Sequence, residues 1–91
     1  MTKKQLSLYN RFLLNHPTTL EECYAKPSFN KRVAYASCIE RYNDQNGNGF
    51  CIMGFNHDMF SVAWTFTHPV TGQLWFHYET NRNIQEFPIE F

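Results

Sequence analysis

Three groups of side chains in this 91-residue chain are of types that do chemistry, and the spacing of each can be held against what that chemistry demands. The run Asp44-Gln45-Asn46-Gly47-Asn48-Gly49 matches the first half of a calcium loop. Such loops place oxygen ligands at alternate positions around a hard cation and turn sharply on a glycine. The closing position calls for glutamate, and this chain has Phe55 there. The segment downstream of the loop reads as strand and not as the second helix of a calcium hand. Asn and Gly at a helix-to-strand junction make a turn without any metal, so no calcium is expected.

His57, His68 and His77 fall in the C-terminal half near Cys51. Zinc takes three or four nitrogen or sulfur ligands in a tetrahedral array, usually with closely spaced pairs. No such pair is present, and no metal site is expected. Cysteine with histidine is also a nucleophilic pairing. Cys38 sits on the apolar stripe of a helix and Cys51 inside a strand, which suits small buried hydrophobes; Cys23 lies on a short helix. Neither GxSxG, a phosphate loop nor HExxH occurs. Glu86 and Glu90 near the C-terminus read as solvated carboxylates. No catalytic residue and no cofactor is assigned.

The elements that must position these residues change character halfway along the chain. Lys3 to Asn15 reads as a helix with Leu6, Tyr9 and Leu13 on one face, widened by Leu8 and Phe12. Pro17 ends it. Thr18 with Glu21, or Thr19 with Glu22, fits a capping box opening a short helix to about Tyr24. Ser28 caps a third helix over Asn30 to Tyr42, with Tyr35, Cys38, Ile39 and Tyr42 on its stripe. The Asn- and Gly-rich turn then marks a switch from period 3.6 to period 2. Phe50 to Phe55 is a short apolar strand. Met59 to His68 alternates Phe60, Val62, Trp64 and Phe66 with Ser61, Ala63, Thr65 and Thr67. Pro69-Val70-Thr71-Gly72 is a hairpin loop and Gln73 to Tyr78 the next strand. Phe87, Ile89 and Phe91 alternate as an optional edge strand would. The expected fold is α+β: three N-terminal helices, one of them short, packed on one face of a three- or four-stranded antiparallel sheet in a single domain of residues 1–91. Tyr35, Ile39, Phe60, Val62, Trp64 and Phe66 should form the core.

Size and composition fit that reading. Aromatics make up 18% of the residues and charged side chains 18%, and a short chain fills its core most efficiently with rings. Net charge is zero but uneven. Up to Asp44, seven bases stand against four acids, a balance of +3; beyond it Arg82 stands against Asp58, Glu79, Glu86 and Glu90, a balance of −3. Neither half has the charge density of a nucleic-acid or membrane surface. The chain has three cysteines without CxxC spacing, a polar N-terminus and no apolar run of about 20 residues. These features indicate a reduced, cytoplasmic protein that does not enter a membrane.

The surplus of rings in the sheet is the functional signal. Trp75 shares its strand face with Gln73 and His77, both poor core residues, so that face should look away from the helices. With Tyr78 these residues form a candidate partner-binding patch, for a protein partner or a second copy of the chain, because Trp and Tyr are enriched at binding hot spots. The same rings could stack nucleic-acid bases, with Lys31, Arg32 and Arg41 contacting phosphates. The acidic sheet half argues against that alternative.

Several short runs also share a layout: Lys26-Pro27-Ser28 opening a helix, Ile52-Met53-Gly54-Phe55-Asn56 after a Gly-rich turn, Phe60-Ser61-Val62-Ala63-Trp64, and Tyr78-Glu79-Thr80. In this layout, over roughly residues 20–89, the chain resembles a set of small proteins of phages and mobile elements. The resemblance rests on no catalytic signature and carries no functional residues with it. It implies a phage-type origin, and small phage proteins are often binders that inhibit a host defence or metabolic enzyme, anti-CRISPR proteins among them. The expected function is a non-enzymatic protein-binding module, with a phage-encoded inhibitor as its particular form. A small nucleic-acid-associated protein is the alternative, and an enzyme or metal protein of another type the third reading.

Overall fold

The computed structural model describes residues 1–15, 40–44, 47–56 and 59–90. Helix α1 spans Lys3–Asn15, the bounds that its periodicity indicates. Its start is a reciprocal capping box. The Gln5 backbone N–H donates to Thr2 Oγ1 at 3.1 Å, and the Thr2 N–H donates to Gln5 Oε1 at 2.8 Å, which satisfies two donors the helix cannot satisfy itself. The buried stripe is rotated from the expected one. Tyr9 and Phe12 are buried and Leu8 half-buried, whereas Leu6 and Leu13 remain exposed.

Four strands complete the described fold, β1 (Gly47–Asn56), β2 (Met59–Thr67), β3 (Leu74–Thr80) and β4 (Ile84–Pro88), paired antiparallel in the order of the sequence. β1 begins inside the Asn- and Gly-rich run expected to be a turn, with Gly47 opposite Phe66 and a register irregularity before Gly49. The β2–β3 hairpin is held by His68. Its N–H donates to the Gln73 carbonyl at 2.8 Å, its carbonyl accepts from Gly72 at 2.9 Å, and its ring Nδ1 faces the N–H groups of Val70 and Thr71. Gly72 has φ 70°, where a side chain would be strained. Beyond β4, the Ile89 N–H donates to the Leu74 carbonyl, and both Phe87 and Ile89 are buried.

Three N-terminal helices on one face of the sheet is not the arrangement found. α1 covers one face: Tyr9 and Phe12 pack with Cys51, Met53, Ala63, Phe76 and Phe87. Residues 40–44 are also helical, and they bring Tyr42 onto the opposite face, against Phe50, Val62, Trp64 and Phe66. The expected short helix near Tyr24 and the expected helix up to residue 39 lie outside the described residues, as do Tyr35 and Ile39. The physical reason for the correction lies in the strands. Val62, Trp64 and Phe66 alternate with Ala63 and Thr65, and all five are buried. A sheet apolar on both faces must be covered on both. Of the described core candidates, Val62, Trp64 and Phe66 are buried and Phe60 is half-buried.

Candidate functional site

The β2–β3 register sets Trp64 opposite His77, Phe66 opposite Trp75 and Val62 opposite Glu79. These six residues therefore share the face that Tyr42 covers. The β3–β4 register adds Glu86 opposite His77. The result is a polar chain laid across an aromatic floor. The imidazole of His77 stacks on the Trp64 indole, with ring centroids 3.8 Å apart. Its Nε2 lies 3.0 Å from Glu79 Oε1 and its Nδ1 2.8 Å from Glu86 Oε2. Arg41, from the helical residues 40–44, donates from its guanidinium to Glu79 Oε2 at 2.7 Å.

Burial makes this chain consequential. The side chains of His77 and Glu79 are each only 3% exposed, and a buried charge is tolerated when it is paired and hydrogen-bonded. A neutral imidazole donates from one nitrogen only. With carboxylate oxygens facing both nitrogens, every contact is a hydrogen bond when the Glu79–His77–Glu86 chain carries one further proton, on the ring or on a carboxyl group. With that proton on the ring, Arg41 and His77 balance Glu79 and Glu86. Both ring nitrogens are engaged within the chain. The arrangement ties β3, β4 and the helical residues 40–44 together.

Beside this chain, toward the β2–β3 loop, lies a groove of about 640 Å³, within the size range of small-ligand and side-chain pockets. Its rings are Trp75, Phe66 and His68, with His68 and Trp75 5.0 Å apart between centroids and Phe66 and Trp75 6.4 Å apart. Asp44 and Glu86 supply carboxylates, and Asn48 an amide whose Nδ2 donates to Thr67 Oγ1 at 3.1 Å. Trp75 is half-buried. Its Nε1–H is shielded from solvent and meets no acceptor among the described residues. A second depression, at the other end of the same face, includes Arg41, Phe60 and Arg82.

The candidate residues named from the sequence are dispersed by the fold. Trp75 lines the groove. His77 is on the same face but buried, so the face they share does not look outward as expected; it lies under Tyr42 together with Trp64. Gln73 is exposed just before β3, and Tyr78 packs on the other face with the α1 cluster. Arg41 is taken up by Glu79, while Lys31 and Arg32 lie outside the described residues. Cys51 is buried, packed with Ala63 and Phe76; Cys23, Cys38 and His57 lie outside the described residues. Asp44 and Asn48, members of the calcium-like run, are both at the groove. Among the described residues, no three His, Cys, Asp or Glu side chains are grouped to hold a metal ion, and no helix is long and apolar enough to cross a membrane.

Glu86 is exposed, as expected, but the Glu79–His77–Glu86 chain it joins was not anticipated. The signal was available in the i, i+2 spacing of His77 and Glu79, which puts both on one strand face. A short connection at residues 81–83 then returns β4 beside β3. The fold and site thus define a small α+β domain whose four-stranded antiparallel sheet is covered on both faces and carries an acidic, ring-lined groove at one end. No family model matches the chain, and no curated protein or solved structure matches it either.

Proposed function

We propose that this chain is a non-enzymatic protein-binding module whose contact surface is the groove around Trp75. The observation that carries the reading is Trp75 itself: a half-buried indole, flanked by two further rings, facing a groove with hydrogen-bonding groups at its margin. Half-buried tryptophans in such settings are typical anchors of protein interfaces. The layout shared with small phage proteins directs the search for the partner toward bacterial host enzymes, with inhibition as the outcome of binding.

The test is a selection of displayed random peptides against the protein, repeated with Trp75→Ala and with Thr67→Gln. Thr67 is exposed at the groove, so a longer neutral side chain there obstructs it without touching the core. Enriched peptides that lose binding to both folded variants support the reading. Peptides that bind wild type and both variants alike would refute it. So would salt-sensitive capture of single-stranded RNA or DNA in place of peptides, which would favour the nucleic-acid alternative.

A further inference from the structure

We infer that the groove accepts an arginine side chain from its protein partner, an assignment that rests on the groove being the contact surface. The argument is charge complementarity joined to shape. Asp44 brings to the groove a carboxylate that no lysine or arginine among its described lining residues balances, and Glu86, already engaged by His77, adds a second, partly exposed carboxylate. The base that neighbours Asp44 in the helical residues 40–44, Arg41, is directed to Glu79. Glu86 uses Oε2 for His77, yet its side chain is 38% exposed, and a carboxylate has several acceptor sites in all. The Asn48 amide donates from Nδ2 to Thr67, so its carbonyl oxygen remains as an acceptor. A cation entering here meets acceptors at the margin and aromatic rings alongside.

Arginine suits that combination better than lysine. A guanidinium is planar, carries five N–H donors in a fixed fork, stacks on aromatic faces and is weakly hydrated. Trp75 and His68 both line the groove, their rings tilted against each other, and a cation over an indole is the most favourable of the ring pairings. An ammonium is compact and strongly hydrated, and can use the carboxylates but not the rings as fully.

The experiment uses blocked tripeptides with arginine, lysine or citrulline at the centre, titrated into the full-length protein labelled with nitrogen-15. The chain has two tryptophans. Trp64 is wholly buried, so its indole signal is an internal control for the signal of Trp75. The arginine peptide should shift the Trp75 indole saturably, the lysine peptide less, and citrulline, which keeps the shape without the charge, scarcely at all. Asp44 is exposed, so Asp44→Asn should fold normally and weaken arginine binding roughly fivefold, the scale of one partly solvated charge pair. Citrulline binding as tightly as arginine, arginine binding unchanged by Asp44→Asn, or spermidine acting as strongly as the arginine peptide would each overturn the assignment. The two readings fail separately. Trp75-dependent peptides lacking arginine would sink the arginine assignment and leave the binding module standing, whereas the absence of any Trp75-dependent peptide would sink both.

Discussion

The His77 imidazole lies nearly parallel to the Trp64 indole, with 13° between the ring planes, and the two residues are directly opposite each other across β2 and β3. This contact fixes the ring so that both nitrogens reach carboxylates. Removing the imidazole takes a hydrogen-bond partner from Glu79, whose side chain is only 3% exposed. Leaving a buried hydrogen-bonding group short of a partner costs about 1–3 kcal/mol. His77→Ala should therefore lower the free energy of unfolding by about that amount in urea titrations. Glu86→Ala should cost less, because its side chain is 38% exposed and water can take its place beside His77 Nδ1. Equal losses for the two variants would show that burial does not set the energetics of this chain.

Gly47 sits where the strand must pass beneath Tyr42. A Cβ built at this position collides with the Tyr42 ring, at Cε2 and Cδ2, and crowds the Thr65 carbonyl at 3.1 Å. The ring is itself packed on Phe50, with centroids 5.2 Å apart, and edge-on to Trp64 at 6.2 Å, so it cannot move without opening the core. Gly47→Ala should destabilise the protein by about 1–3 kcal/mol, the usual cost of overpacking. Thermal unfolding checks this. Gly54→Ala is the comparison: its nearest obstacle is the Ser61 hydroxyl at 2.9 Å, an atom on a small side chain that can rotate away, so the loss there should be smaller.

How much of this is legible in the sequence depends on the range of the interaction concerned. α1 is readable because its apolar repeat is local; its Thr2–Gln5 cap is as local but shows only in the structure. The meander is readable because its strands are joined by short connections. The covering of the second face is not, because period-2 alternation shows which side chains share a face but not which face is wet. Trp64 and Trp75 both stand out by type, yet the polar neighbours of Trp75 point it to the opposite face. Only the register, with Phe66 opposite Trp75, puts the two on the same one. His77 is a poor core residue by type. Its burial depends on Glu79, Glu86 and the stacked indole together, and a side-chain type considered alone carries none of that.

Burial also leaves a mark on titration. Tyr42, over Phe50 and Trp64, has its phenol pushed above the ordinary value of 10.0 because desolvation disfavours the phenolate. A folded-state pKa above the unfolded one means the native protein holds this proton more tightly. The corresponding stability is present in full below the unfolded value and is lost as pH rises through the folded one. Ultraviolet titration at alkaline pH should therefore show a late-ionising component, and Tyr42→Phe should remove it. If the late component survives the substitution, the packing of Tyr42 on this face is not what delays it.

Trp75 offers the sharpest separation of a binding role from a packing role. Its Nε1–H is shielded and has no acceptor among the described residues, and leaving a buried donor unsatisfied costs about 1–3 kcal/mol. Phenylalanine would keep a ring against Phe66 while removing that donor, at the expense of some apolar area. The two effects oppose each other, so Trp75→Phe should leave stability within about 1 kcal/mol of wild type. Binding should respond differently. The larger indole face gives the stronger attraction for a cation, and the arginine peptide should bind Trp75→Phe several-fold more weakly than wild type. Stability by urea unfolding and affinity by calorimetry, measured on the same variant, decide the matter. A variant that loses stability heavily and keeps its affinity would make Trp75 a packing residue and remove the ground for placing the contact surface in this groove.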